Sequence, residues 1–150
     1  MAARSSSAPG GAEGLLDSLP PVSSSEASTR GVRVQVKSRF VPERSSPEHG
    51  TWFFAYTVLI TNDGKDTVQL VSRHWIITNA DGHVEEVRGP GVVGAQPVLA
   101  PGESFEYTSA CPLPTAFGTM HGTYQMVTED GERFDADIAP FSLSMPYAVN

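Results

Sequence analysis

Apolar and polar residues alternate with period 2 along most of the chain from Gly31 onward. Val32, Val34 and Val36 alternate with Arg33, Gln35 and Lys37, which predicts a half-buried strand ending near Phe40. Pro42 to Gly50 is polar and reads as a loop. Thr51 to Asn62 is a stronger strand, with Trp52, Phe54, Tyr56, Val58 and Ile60 on one face. Its other face, Phe53, Ala55, Thr57 and Leu59, is more apolar than water favours. Further strands are expected over Val68 to Asn79, His83 to Val87, Ser104 to Ala110, Thr123 to Thr128 and Arg133 to Ile138. Phe141 to Met145 reads as a last edge strand. Turn signals separate them at Asn62-Asp63-Gly64-Lys65, Asp81-Gly82, Pro101-Gly102 and Asp130-Gly131. Gly89 to Leu99 and Pro112 to Gly118 read as loops. No window keeps a 3.6-residue period. The pattern predicts an all-β domain: an antiparallel β-sandwich of seven or eight strands, immunoglobulin-like or fibronectin type III-like. A closed barrel is the alternative that strand counting leaves open.

The first thirty residues follow another pattern. Ser5, Ser6, Ser7, Ser23, Ser24, Ser25 and Ser28 mix with Ala, Gly and Pro, and no aromatic residue precedes Phe40. Residues 1–30 are therefore expected to be a disordered tail, and residues 31–150 the folded domain. Leu15, Leu16 and Leu19 are the tail's apolar spot, a short docking motif or a passive stretch. Glu13 and Asp17 interrupt the segment, which leaves no signal-peptide core.

Composition narrows the function classes. The 150 residues suit one domain. Ten basic against 17 acidic side chains give a net charge of -7, which argues against nucleic acid as partner. No apolar run reaches the roughly 20 residues of a membrane span. The single cysteine rules out an internal disulfide and, with the missing signal, points to the cytoplasm. It also removes the inter-sheet disulfide of antibody domains, which favours the fibronectin-like variant.

Three stretches invite chemistry. Gly89-Pro90-Gly91-Val92-Val93-Gly94 matches G-x-G-x-x-G, but Pro97 and Pro101 follow and no helix opens there. A dinucleotide site of the Rossmann kind is thereby set aside. What remains is a phosphate or anion site in which Arg88 and the backbone of Gly89, Gly91 and Gly94 hold the ligand, with Arg73 adding charge. The bland reading is a loop that needs positive φ and close strand crossing. In the second stretch, Ser72-Arg73-His74-Trp75, both strand parities carry apolar residues. Either a bulge shifts the register or both faces are covered, and Arg73 or His74 must find a partner. The third is Cys111 at a strand end, expected to be a small buried apolar residue. His49, His74, His83 and His121 share no ligand spacing, so no metal site is expected. No catalytic constellation and no cofactor motif is found.

The ordered motifs resemble a known family. Val68-Gln69-Leu70 with Ser72-Arg73-His74-Trp75, the glycine stretch with Gln96-Pro97, Pro101-Gly102-Glu103, and Gly118, Met120, Gly122, Tyr124 and Met126 resemble the ApaG family from about Val32 to Phe141. Ala95 and Ala110 depart from its pattern, the family usually having an acid at the first and often glycine at the second. The resemblance implies a fibronectin type III-like sandwich without enzymatic activity. Bacterial members are named for genes beside a diadenosine tetraphosphate hydrolase and are linked to cobalt and magnesium tolerance. Related domains in F-box proteins and in a polymerase delta-interacting protein look like protein-binding modules. The expectation is a non-enzymatic interaction module with a protein partner, or a homodimer, meeting the apolar outer face at Phe53 and Leu59. The alternative is a small-ligand binder that takes a phosphate-containing nucleotide at the glycine loop.

Overall fold

A computed structural model describes residues 3–5 and 23–146 of the chain. Ten strands follow in order: β1 (Ala3–Ser5), β2 (Ser23–Thr29), β3 (Val32–Phe40), β4 (Trp52–Asn62), β5 (Val68–Asn79), β6 (Val84–Pro90), β7 (Val98–Leu99), β8 (Ser104–Leu113), β9 (Phe117–Thr128) and β10 (Arg133–Ser144). Two short 3-10 turns, Pro42–Arg44 and Pro47–His49, fill the polar loop before β4. Sheet A has the order β1-β8-β4-β3-β2 and sheet B the order β10-β9-β5-β6, with β7 beside β5. All pairings are antiparallel. The domain is a two-sheet β-sandwich, and open edges exclude the barrel.

The alternation does the expected work. Val32, Val34 and Val36 on β3 and Phe54, Tyr56, Val58 and Ile60 on β4 are buried against the inner face of sheet B. That face supplies Leu70, Trp75, Met120, Tyr124, Met126, Ile138 and Leu143. Each such aliphatic or aromatic side chain contributes roughly 1.5–3 kcal/mol by leaving water. Trp75 sits at the centre. Its ring meets Tyr56 at 5.3 Å, Phe141 at 6.0 Å and Tyr124 at 6.3 Å, each as a tilted or edge contact suited to aromatic quadrupoles.

The expected loops 89–99 and 112–118 are shortened by the ends of β6 and β8, the start of β9 and the two-residue β7, and three larger differences from the sequence pattern stand out. Ala3–Ser5 and Ser23–Thr29, both expected in the disordered tail, form β1 and β2, so the sheet takes in residues before 31. Strand β2 has little apolar surface, and hydrogen bonds hold it instead. It pairs with β3 along its length. The Ser25 hydroxyl donates to the Ala139 carbonyl at 2.8 Å, and the Ser23 hydroxyl accepts from the Ser142 amide at 2.9 Å. The expected disorder of residues 6–22, with Leu15, Leu16 and Leu19, lies outside the described residues. Second, Phe141–Met145 is no separate edge strand. β10 runs continuously from Arg133 to Ser144, and an irregularity between Ile138 and Phe141 absorbs Pro140.

Third, Gly118 and Gly122, which look like loop residues, lie inside β9. They are small because other atoms are close. A Cβ on Gly122 would stand 2.0 Å from the His74 carbonyl oxygen, and one on Gly118 would stand 2.6 Å from Leu113 Cδ1. Gly122 is directly opposite Trp75 in the β5–β9 register. Gly122→Ala is expected to destabilise the domain by about 2–3 kcal/mol, since backbone must move to admit one methyl. A drop in the urea midpoint with unchanged slope is the readout; an unchanged midpoint would refute this packing constraint.

Candidate functional site: the glycine loop and the arginines around it

The loop is built on a bulge in β5. The β5–β9 register shifts between Leu70 and Ser72, which confirms the bulged alternative for this strand. The Val71 carbonyl is thereby turned toward the loop. It accepts from the Gly91 amide at 2.8 Å and from Gln96 Nε2 at 2.8 Å. Gln69 Nε2 in turn donates to the Gln96 carbonyl at 3.1 Å, and the Leu70 amide to the Pro97 carbonyl at 3.0 Å. Beyond Gly91 the chain makes a tight hairpin. Val92 and Ala95 exchange two backbone hydrogen bonds of 2.8 Å, with Val93 (φ 42°) and Gly94 (φ 82°) at the tip. Both tip residues need positive φ. A β-branched residue is strained there, by roughly 1–3 kcal/mol. Gly91 has φ 59°, and a Cβ there would stand 2.3 Å from the Ala95 carbonyl oxygen.

Arg73 closes the loop from inside. Its Nη1 donates to the carbonyls of Pro90 at 2.9 Å and Gly91 at 2.8 Å. The guanidinium lies across Gly89, where a Cβ would meet Nη2 at 3.0 Å. Glycine at 89 thus makes room for the arginine. The same charge faces the tyrosines of the core. Tyr124 lies opposite Arg73 in the register, and its hydroxyl bonds to that of Tyr107. Burial pushes both hydroxyls well above the ordinary tyrosine range, while the Arg73 charge pulls the other way.

Arg88 stands elsewhere. In the β5–β6 register Arg73 faces Gly89, whereas Arg88 faces His74. Successive side chains alternate between faces. Arg73 shares the inward parity of the buried Trp75 and Ile77, and Arg88 shares the outward parity of His74. The sheet therefore separates the two arginines proposed to share one anion. Arg88 Nη2 lies 3.4 Å from Glu86 Oε1, and His74 Nε2 lies 2.7 Å from the same oxygen. The hydrogen bond from His74, with the nearby charges of His74 and Arg88, holds the Glu86 carboxyl below the usual carboxylate range. Of the loop amides, those of Gly91, Val92 and Ala95 are already bonded within the chain. Sequence reasoning singled out Arg73, His74, Arg88 and the glycines but missed Glu86 and the pairing, because the bulge decides which carbonyls Arg73 meets and the strand register decides which acid meets His74.

The remaining candidates are quickly placed. Cys111 is buried, and burial, with a smaller push from the Glu85 charge, raises its thiol to about 12. The thiolate needed for nucleophilic attack is then absent at neutral pH. Among the described residues no three His, Cys, Asp or Glu side chains stand together as a metal site. Phe53 and Leu59 lie on the outer face of sheet A and are half-buried. The Arg44 guanidinium covers the Phe53 ring at 4.5 Å, and Leu59 sits between Gln35 and Glu106 in the register. Among the described residues, the large apolar side chains most open to water are others: Val98 (58% exposed), Val84 (52%) and Phe117 (45%). Isolated valines and a phenylalanine at strand ends carry no periodic signal that would have singled them out.

A two-sheet antiparallel sandwich, with a hairpin-tipped glycine loop clasped by a strand arginine, is the class of domain these features define. The chain belongs to the ApaG family. The ApaG domain (DUF525) matches residues 42–128. Protein ApaG of Methylobacterium sp. (strain 4-46) is 62% identical over 122 residues, spanning 81% of this chain and 94% of that protein. Protein ApaG of Rhodopseudomonas palustris (strain TIE-1) is 60% identical over 120 residues, 80% of this chain and 92% of the relative. The crystal structure of the ApaA protein of Bordetella pertussis aligns with a TM-score of 0.76 at 57% identity, over 78% of this chain and 95% of that one. None of these names carries an enzymatic activity.

Two measurements check the loop. Arg73→Met should leave the Pro90 and Gly91 carbonyls without their donor, costing about 1–3 kcal/mol. Amide exchange in residues 89–96 should quicken; an unaltered loop would remove Arg73 as its clasp. The depressed Glu86 carboxyl adds stability above the usual carboxylate range, and that stability is lost as pH falls through the lowered folded-state value. A carboxyl NMR titration should find Glu86 low in the parent and shifted upward in His74→Gln. Equal values in both would show that His74 does not hold it.

Proposed function

We propose that this protein is a non-enzymatic, fibronectin type III-like interaction module that binds another protein chain. The observation that supports this reading most is the outer face of sheet B at the end that bears Val84 and Phe117. Val84 faces Thr78, and Thr78 faces Thr119, across neighbouring strands. Phe117, two residues before Thr119, has the same parity and presents its ring on the same face. The half-buried Ile76 continues the surface toward the centre of the sheet. Val84 and Phe117 stand beside Thr78 and Thr119, and Ile76 between Glu86 and His121, so the apolar patch has a polar rim of the kind that suits a protein contact.

The competing reading, a phosphate-containing ligand at the glycine loop, is poorly served by the geometry. Arg73 is spent on loop carbonyls, and Arg88 lies on the opposite face beside Glu86. The two readings predict different variants. Affinity capture with the full chain is expected to recover a partner that Val84→Glu with Phe117→Asp loses at least tenfold, while Arg88→Glu keeps it. Sedimentation of the pure chain tells whether a second copy is that partner. A strictly monomeric chain with no partner dependent on Val84 and Phe117 would defeat the proposal. ATP binding that Arg88→Glu abolishes would establish the competing one.

A further inference from the structure

Each sheet of an open sandwich has two edges, and each edge strand offers unpaired N–H and C=O groups. The two-residue β7 aside, three of the four edges here are closed or defended. The β2 edge of sheet A lies against β10 of sheet B, tied by the Ser23 and Ser25 hydrogen bonds and by the Asp137 amide, which donates to the Thr29 hydroxyl at 3.0 Å. That seam closes the β2 and β10 edges against each other. The β6 edge carries Glu85, Glu86 and Arg88 and ends at Pro90, the charge-and-proline defence of natural edges.

The fourth edge is that of β8. On one side β8 pairs with β4 from Ser104 to Leu113, opposite Thr61 to Trp52. On the other side β1 pairs with it over three residues only: Ala3 opposite Tyr107, Arg4 opposite Glu106 and Ser5 opposite Phe105. Among the described residues, no strand covers residues 108–113 on that side. This edge therefore accepts an extended segment by backbone pairing, and the segment it accepts comes from the far end of the same sheet. Four interstrand steps, roughly 19 Å, separate β1 from β2. Residues 6–22 connect them and reach roughly 60 Å when fully extended, so the pairing is open to the same chain. A three-residue strand is weak by itself. Its hold depends on the tether, which keeps the local concentration of the segment high.

We propose that the β8 edge is a strand-addition site whose resident occupant is the chain's own N-terminal segment, Ala3–Ser5. Release of that segment then opens the edge to an extended peptide. This rests on the interaction-module reading but uses another surface from Val84 and Phe117. The chemistry it selects is that of its occupant: small side chains flanking a basic residue, placed opposite Glu106. On such an edge the backbone supplies the bonds and the cross-strand neighbours supply the preference.

Hydrogen exchange of the full chain tests this without any partner. In the parent, the β8 amides from 104 to 108 that β4 does not bond should be protected. Arg4→Pro removes a backbone donor from β1 and should speed their exchange at least tenfold, with β4 and β9 amides unchanged as a fold control. Arg4→Glu, which sets like charges opposite each other, should do the same more weakly. A synthetic peptide of residues 1–8, added to Arg4→Pro, should restore protection at those amides. Unchanged exchange in Arg4→Pro would overturn the occupancy, and failure of the peptide to restore it would overturn the acceptor role. Protection that rises with protein concentration would assign the occupant to a second copy and overturn the proposal as stated. Since the face variants at Val84 and Phe117 are read by partner capture, the two ideas fail separately.

Discussion

The backbone contact between β5 and β9 at Trp75 and Gly122 is the constraint on which the rest depends. Gly122 brings the two central strands of sheet B together without a side chain between them, beneath the His74 carbonyl. Trp75 then projects into the sandwich and meets Tyr56 of sheet A edge-on. Because a large indole fills the middle, the surrounding positions hold Tyr124, Phe141 and the valines of β3 in fixed places. Close-packed interiors transmit such a placement outward, because few voids are left to absorb a shift.

The glycine loop follows from that arrangement. Four residues before Trp75 the bulge at residue 71 turns one carbonyl toward the loop and leaves Arg73 on the inward parity, opposite Tyr124. A guanidinium at such a place must spend its donors, and the nearest acceptors are the carbonyls of Pro90 and Gly91. The glycines that look like a phosphate cradle instead admit the arginine and the reversing chain. On the outer surface the same strand pair arranges His74, Glu86 and Arg88 into an exposed charge cluster. Chemistry is thus used to hold β5 and β6 together.

Much of the fold was legible in the sequence. The alternation of β3 and β4 placed nearly every core residue on those strands, since one methylene-rich face per strand has only one place to go. The turns at Asp81-Gly82 and Asp130-Gly131 fell where the β5–β6 and β9–β10 hairpins are, and Pro101-Gly102 where the chain passes from β7 of sheet B to β8 of sheet A. The misses share a cause. Serines in β2, glycines in β9 and Pro140 in β10 are local signals against a strand. Each is overridden by a neighbour: a cross-sheet hydroxyl bond, a close backbone, a bulge. For the candidate site, the residues were legible and their faces were not, because one bulge reverses which parity points inward.

By itself, then, the chain's pattern determined that two antiparallel sheets would enclose a core of alternating residues, and its ordered motifs pointed to the ApaG family. Those are properties of spacing, which local chemistry dictates. Tertiary structure alone decided that Arg73 and Arg88 lie on opposite faces, that Val84 and Phe117 share one, and that residues 3–5 lie beside β8. Each depends on registers and pairings between segments far apart in sequence, and no local preference encodes which strand becomes whose neighbour.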